Sequence, residues 1–509
     1  MSVIDQKRIA KNTILLYIRM GILMLVGFYT SRVVLDALGN VDNGIYGTVA
    51  GIIATFAFMN NTMATACQRF FGMETGRGNL EELKRTFSLC VLVFIAIALI
   101  VVFLSETLGL WLVTRKVDAA DRLDAARVIF QFSIISFFFM IIMTPFQAMV
   151  IIKEKMKVYT YISFFEAFGN LAIAIAISRT GHDRLIMYGF LMMLVNVAVS
   201  LYYISYCNAF WKECRFRFYW NRSRFMEIFR FAGWNMVGSL SNTCKNQGIT
   251  VLINMAKFGN VIVSANVMAN KLYQSVQRFS ENFMIALKPQ MIKSYATGDR
   301  EGMFKLLFQG SKFSYFLMFM ISLPLLLETG PILNIWLKDV PDYTCLFVRL
   351  LLINALVEVF ASPLATTMQA YGNIRNYQLI CGSFLLLILP ISWVCFKLGA
   401  PVETIFYVSI TICALAILLR LVLIHHYLKL DVMEYMKKVM LPVAMVTVLS
   451  VPLPLLLECM IEQTSFIKFI IVSGTAVITT AACTYLLGLT ESERRHTNER
   501  IVKILRRRA

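Results

Sequence analysis

Long apolar stretches recur along the whole chain, and short polar segments separate them. Each stretch is about 18 residues or longer, enough for a helix to cross about 30 Å of hydrocarbon. A transmembrane β-barrel would show short alternating segments instead. The pattern therefore predicts an all-α polytopic membrane protein with about fourteen transmembrane helices, at 12–38, 42–69, 87–113, 124–150, 156–178, 185–208, 231–257, 260–288, 306–336, 344–371, 376–398, 402–428, 440–459 and 465–488.

Two short turns repeat in the sequence at one offset. "LGN" at 38–40 is echoed by "FGN" at 258–260, and "GRGN" at 76–79 by "ATGD" at 296–299, in both cases 220 residues later. Six predicted helices separate the copies, so the two halves have the same orientation in the membrane and are related by an axis along its normal. The repeat predicts two pseudo-symmetric six-helix bundles, with two further helices after them.

The repeat and the linkers divide the chain into five predicted parts. They are an N-terminal six-helix bundle at 1–208, a basic linker at 209–230, a C-terminal six-helix bundle at 231–428, two additional helices at 429–489 and a basic tail at 490–509.

Composition and charge agree with a membrane location. The chain has 509 residues, of which 58% are hydrophobic and only 16% charged, whereas soluble domains carry about 25% charged residues. Lys and Arg favour one set of loops by about three to one, which places both termini in the cytoplasm. The formal net charge of +19 then reflects loop placement and contact with anionic lipids, and it requires no nucleic-acid partner.

Polar residues nevertheless occur inside several predicted helices, at the spacing of one helix face. In the eighth span Asn270, Gln274, Gln277 and Glu281 form one stripe, with Lys271 and Arg278 beside it. Similar residues occur in the first, second, seventh and tenth spans. A charged side chain in hydrocarbon costs about 2.5–3.5 kcal/mol on insertion scales. We therefore expect these faces to line a wet cavity between the two halves.

The cavity is predicted to carry more cations than carboxylates, which suits a phosphate-bearing cargo. Arg420, near a span end, is instead expected to reach the membrane interface. The predicted substrate-binding residues are Arg19, Asn61, Gln68, Asn242, Lys245, Asn270, Lys271, Gln274, Arg278 and Arg349. The candidates for ion coupling are Glu166, Glu281 and Glu358.

No catalytic or metal-binding spacing stands out. The eleven cysteines are scattered without a CxxC motif, and the four histidines lie away from the middle of the predicted spans. Buried, reduced thiols explain the cysteines. We expect no catalytic residue, no metal site and no cofactor.

The stretch "KNTILLYIRMGILMLVGFYTSRVVLDALGNVDNGIYGTVAGI", followed by "MATACQRFF", resembles the Wzx-like oligosaccharide flippases of the multidrug/oligosaccharidyl-lipid/polysaccharide exporter superfamily. The resemblance implies a protein of the bacterial inner membrane that moves an undecaprenyl-diphosphate-linked oligosaccharide to the periplasmic leaflet by alternating access. It also implies polysaccharide assembly proteins as partners. Arg19 and either Lys271 or Arg278 match arginines thought to hold diphosphate in the related lipid II flippases. The second helix departs from those relatives, because Asn60, Asn61 and Gln68 stand in its interior and Arg69 only at its end.

Two alternatives remain open on the sequence. One is a cation-coupled multidrug or small-molecule exporter of the same superfamily. The other is a membrane glycosyltransferase or polysaccharide polymerase, which would use carboxylates on a substantial outer loop; Asp118 and Asp121 in "VTRKVDAADR" lie on a short one.

Overall fold

The structure is a computed structural model. It describes residues 6–54, 57–116, 122–179, 183–256, 258, 260–336, 340–461, 466–491 and 493–495, and some side chains within the first, second, fourth, eighth and ninth helices lie outside that description. These residues form two compact units. Unit 1 comprises Met1–Ser239 and Ile292–Asp299, and unit 2 comprises Leu240–Met291 and Arg300–Ala509.

The described residues of unit 1 form seven helical segments, the first part of an eighth and the end of a ninth. Its first helical segment consists of two helices that meet at a kink at Gly39, where a φ of 73° and a ψ of 176° are not helical. The bounds are α1 (Gln6–Ala54), α2 (Ala57–Arg77), α3 (Leu80–Leu104), α4 (Leu110–Lys116), α5 (Leu123–Ile152), α6 (Met156–Ile177), α7 (Arg184–Phe210) and α8 (Arg222–Met255), the last of which continues into unit 2.

Unit 2 contains the remaining helices, several of which are interrupted within one predicted span. They are α9 (Asn260–Ala296), α10 (Arg300–Leu327), α11 (Thr329–Trp336), α12 (Thr344–Glu358), α13 (Ala361–Tyr371), α14 (Arg375–Leu386), α15 (Ile388–Lys397), α16 (Thr404–Leu428), α17 (Val432–Tyr435), α18 (Leu441–Ser450), α19 (Pro452–Met460) and α20 (Phe466–Cys483). The end of α9, from Ile292 onward, belongs to unit 1.

The predicted fold class is confirmed, because each of the fourteen predicted spans falls on helix in the described part of the chain and no strand occurs there. Among the residues that the structure describes, eleven helical segments are long and apolar enough to cross a membrane. The other three predicted spans lie on the end of α1 with α2, on α8 and on α9. All three carry predicted polar faces, whose residues lower the hydropathy, whereas the first and tenth spans also carry predicted polar residues but remain apolar enough.

The internal repeat is visible in matching backbone turns. Gly78 and Gly298 both have a positive φ, of 73° and 80°, which glycine adopts without strain. The amide of Asn79 donates to the carbonyl of Glu74 at 3.1 Å, and that of Asp299 to the carbonyl of Ser294 at 3.0 Å. These bonds satisfy carbonyls at the two helix ends. Later helices keep the same offset to within one residue, with starts at Leu80 and Arg300, Leu123 and Thr344, Met156 and Arg375, and Arg184 and Thr404.

Residues 220 positions apart also pack against each other within unit 1. A Cβ added at Gly72 would lie 2.7 Å from Ile292, and one added at Gly76 would lie 2.7 Å from Ala296. The two helix ends therefore cross at glycine positions where their backbones approach closely.

Candidate functional site

One face of α9 carries a row of exposed polar side chains. Lys271, Gln274, Arg278 and Glu281 are all exposed and recur every three or four residues, so they lie on one line along the helix. We call these four residues the α9 stripe. The opposite face is buried and includes Tyr273, Val276, Ser280 and Phe283.

Two of the four members of the stripe differ from the sequence prediction, each by one position: Lys271 replaces Asn270, and Arg278 replaces Gln277. Asn270 is half-buried and donates to the carbonyl oxygen of Asn266 at 2.9 Å, and Asn282 is buried and donates to the carbonyl of Arg278 at 2.9 Å. Gln277 is half-buried. Lys271 and Arg278, which the sequence prediction places beside the stripe, are therefore members of it.

Two predicted site residues meet in a buried ion pair inside unit 2. The Lys245 ammonium lies 2.8 Å from Glu358 Oε1, and only 1% of the lysine side chain is exposed. Tyr273 donates to Glu358 Oε2 at 3.2 Å, and Asn354 Nδ2 approaches the same oxygen at 3.4 Å. Breaking such a pair by removing one partner leaves an uncompensated buried charge. Lys245 and Glu358, predicted for substrate binding and ion coupling respectively, are thus partners of each other.

Arg420 extends this buried cluster, contrary to the expectation that it reaches the membrane interface. Its guanidinium donates to the hydroxyl of Tyr377 and lies 5.4 Å from the centre of that ring. It also interacts electrostatically with Glu358. A phenol and a carboxylate within the unit thus offset its charge, so the side chain has no need to reach the lipid headgroups.

In unit 1 the predicted residue Arg19 is half-buried against an aromatic ring. Its guanidinium carbon lies 4.4 Å from the centre of the Tyr159 ring, a cation–π distance. Glu166, on the same helix as Tyr159, interacts with it electrostatically. The Nε atom of Arg19 is buried and makes no hydrogen bond to any described residue. Arg19 and Glu166, predicted for separate roles, therefore lie in one local environment.

The remaining predicted residues are dispersed. Asn242 is exposed on α8 and Gln68 is half-buried on α2. Arg349 donates through Nε to Thr329 Oγ1 at 3.2 Å, which holds it beside α11. The side chain of Asn61 lies outside the described residues. The described residues contain no group of three or more His, Cys, Asp or Glu side chains placed to hold a metal ion.

Sequence reasoning missed the aromatic partners of the charged residues. Tyr159, Tyr273 and Tyr377 lie in helices where the position of a tyrosine is the same whether its ring packs in the core or contacts a charged group. The signal available was their place in helices that also carry charged residues, but only the structure shows which ring meets which charge.

The arrangement of the helices places the chain in a structural class: it has the fold of polytopic membrane transporters. Solved structures that are similar to it include a MATE protein in complex with MaD3S, with 14% identity, a TM-score of 0.69, and coverage of 83% of this chain and 97% of that one. An outward-facing multidrug resistance MATE family transporter of the MOP superfamily gives 14% identity, a TM-score of 0.67 and coverage of 81% and 93%.

A third similar structure is a MOP superfamily transporter from Pyrococcus furiosus, whose binding pocket is described as having reverse polarity. It gives 11% identity, a TM-score of 0.65 and coverage of 81% of this chain and 94% of that one. No protein-family model and no curated protein sequence matches the chain. The chain therefore has the fold of the MATE transporters of the MOP superfamily.

Proposed function

We propose that this protein moves a lipid-linked oligosaccharide, carried on undecaprenyl diphosphate, from the cytoplasmic to the periplasmic leaflet of a bacterial inner membrane by alternating access. The observation that carries the proposal is the α9 stripe. A helix that exposes Lys271, Arg278 and Glu281 near its middle is costly against lipid, because charged side chains there lack water and partners. The stripe is expected to face a water-filled path through the protein.

The chemistry of the stripe suits a sugar diphosphate. Lys271 and Arg278 supply charge-assisted hydrogen bonds to phosphate oxygens. Gln274, between them on the same face, offers both a donor and an acceptor to sugar hydroxyls. Glu281 interacts electrostatically with Arg278 and keeps the net charge of the stripe at one positive unit, so binding stays reversible.

The buried ion pair has a different role in the proposal. Because the Lys245 ammonium is held by Glu358 and almost fully buried, it offers no open donor to a cargo. We propose that this pair holds α8 and α12 together. Tyr273 joins α9 to them, because its hydroxyl donates to Glu358. The cationic charge that the α9 stripe offers to a cargo then comes from Lys271 and Arg278.

The second candidate function is export of a small molecule or drug. It is favoured by the likeness to a structure described as a multidrug resistance transporter. The basic stripe argues against a cationic drug, because like charges repel it. The similar transporter from Pyrococcus furiosus, whose binding pocket of reverse polarity is described as suggesting a different function, supports the view that this fold serves more than one function.

Reconstituted vesicles separate the two candidates. We expect purified protein to move a short undecaprenyl-diphosphate-linked oligosaccharide across the bilayer, measured by its accessibility to an enzyme added outside. Lys271→Gln or Arg278→Gln should slow movement by about tenfold or more, the loss expected for one hydrogen bond to a charged group. Lys397→Gln, which removes an exposed charge at the end of α15, is the matched control. Drug movement without lipid-linked sugar movement would favour the exporter.

A further inference from the structure

Unit 2 contains a cavity of about 600 Å³ that lies outside the α9 stripe. Its walls are the first turns of α10, the start of the span that begins with α17, and the residues after α20. The three wall elements are therefore the ends of three membrane spans, at Arg300, Val432 and Gly488. With 28 residues, α10 is about 42 Å long and exceeds the hydrocarbon thickness. A cavity at the ends of three such spans is expected to lie at the depth of the lipid headgroups.

The floor of the cavity is a closed set of polar contacts. Lys312 Nζ lies 2.9 Å from Glu493 Oε2 and donates to the carbonyl of Gly488 at 3.2 Å. Gln309 donates to the other oxygen of Glu493 at 3.2 Å. These groups satisfy one another and leave no charge for a ligand.

The rim, in contrast, has charges of both signs that are available. Glu301 and Lys305 are exposed, and no described residue forms an ion pair with either of them. Glu434 and Lys438 pair with each other at the surface, where such a pair contributes little and opens readily. Phe304 and Phe308 form the apolar wall between these charges.

We propose that this cavity binds the zwitterionic phosphoethanolamine headgroup of a phospholipid. The phosphate lies against Lys305 and Lys438, the ammonium against Glu301, and the start of the acyl chains against Phe304 and Phe308. The charged side chains that line the cavity are three lysines and three glutamates, so a ligand with no net charge matches it. A headgroup with an uncompensated negative charge would meet Glu301 and Glu434, and a choline headgroup has no N–H to donate.

Thermal unfolding of the full chain in lipid nanodiscs tests the site. Nanodiscs of phosphatidylcholine are compared with nanodiscs in which part of the lipid is phosphatidylethanolamine or phosphatidylglycerol. We expect phosphatidylethanolamine to raise the unfolding midpoint and phosphatidylglycerol to leave it unchanged. In the double variant Glu301→Gln/Lys305→Gln the rise should disappear, while Lys397→Gln should retain it.

Two additional measurements separate a bound phospholipid from a soluble ligand and guard against a variant that folds poorly. Soluble glycerophosphoethanolamine, added to phosphatidylcholine nanodiscs, tells whether the free headgroup suffices; an equal rise would keep the site and assign it to a soluble ligand. If the double variant unfolds early in phosphatidylcholine, Lys305→Gln alone replaces it. An equal rise with phosphatidylglycerol, or an undiminished response of the variants to phosphatidylethanolamine, would overturn the proposal.

Discussion

Charged residues in these helices fall into two kinds, which differ in burial and in partners. Lys245 is buried and joined to Glu358, whereas Lys271 is exposed on the α9 stripe. The same residue type therefore serves stability in one place and, as we propose, cargo binding in the other. Substitution of each lysine by methionine distinguishes the two roles.

Lys245→Met should destabilise the protein by about 3–5 kcal/mol, because it leaves the Glu358 carboxylate buried without its partner. The double variant Lys245→Met/Glu358→Gln should recover most of that loss, as measured by thermal unfolding in detergent. Lys271→Met, on the exposed face of a neighbouring helix, should unfold like the wild type. An unchanged midpoint for Lys245→Met would show that the pair does not stabilise the unit.

The sequence predicts that these helices carry unusual charges, but it does not predict how the charges are partnered. Helical spacing places Lys245 and Glu358 on polar faces of their own helices. It does not predict that these two side chains, 113 positions apart in the sequence, contact each other. The shift of two stripe members by one position, from Asn270 to Lys271 and from Gln277 to Arg278, has the same origin. Packing of Tyr273 toward Glu358 fixes the rotation of the helix, and it turns Lys271 and Arg278 outward.

At the scale of elements, the crossing of α2 with the end of α9 depends on glycine. Gly76→Ala should destabilise unit 1 by about 1–3 kcal/mol, because its Cβ would meet Ala296 and the backbone of Lys293, which have little freedom to move. Gly27→Ala in α1 is the matched control, since its Cβ meets no atom within 4 Å. Equal unfolding midpoints for the two variants would contradict the close crossing.

The Glu493 carboxylate connects the segment after α20 to Lys312 of α10. Titration of this carboxylate makes part of the folding stability depend on pH. Burial alone would raise the pKa of Glu493, but the Lys312 ammonium and the bonds from Thr490 and Lys312 hold that pKa below its usual range. A carboxylate with a depressed pKa stabilises the folded state at pH values above its pKa in the unfolded chain, about 4.3. This stabilisation is lost as the pH falls through the pKa of the folded state.

The difference in unfolding midpoint between the wild type and Glu493→Gln should therefore be largest near neutral pH and shrink as the pH falls below about 4.3. Glu491→Gln, two residues away and without a recorded ion pair in the described part, serves as the control. A difference that stays constant from pH 7 to pH 3 would show that Glu493 does not titrate with folding.

At the scale of the whole molecule, the positions of the helical spans and the repeat follow from the sequence, because hydrocarbon thickness sets the length of a span and the turn residues repeat. The interruptions within spans do not follow from it. For example, α12 ends at Glu358 and α13 starts at Ala361 within one predicted span. Hydropathy averages over such breaks, so only the structure shows them.

The central claim, that the α9 stripe faces water, can be measured directly by cysteine accessibility. In a variant without the eleven native cysteines, single cysteines at positions 271, 274, 278 and 281 are treated in membranes with a charged thiol reagent. The buried positions 276 and 280 are the controls. We predict rapid reaction at the four stripe positions and slow reaction at the controls. Reaction at the stripe only with an apolar, membrane-permeant reagent would place it against lipid and contradict the claim.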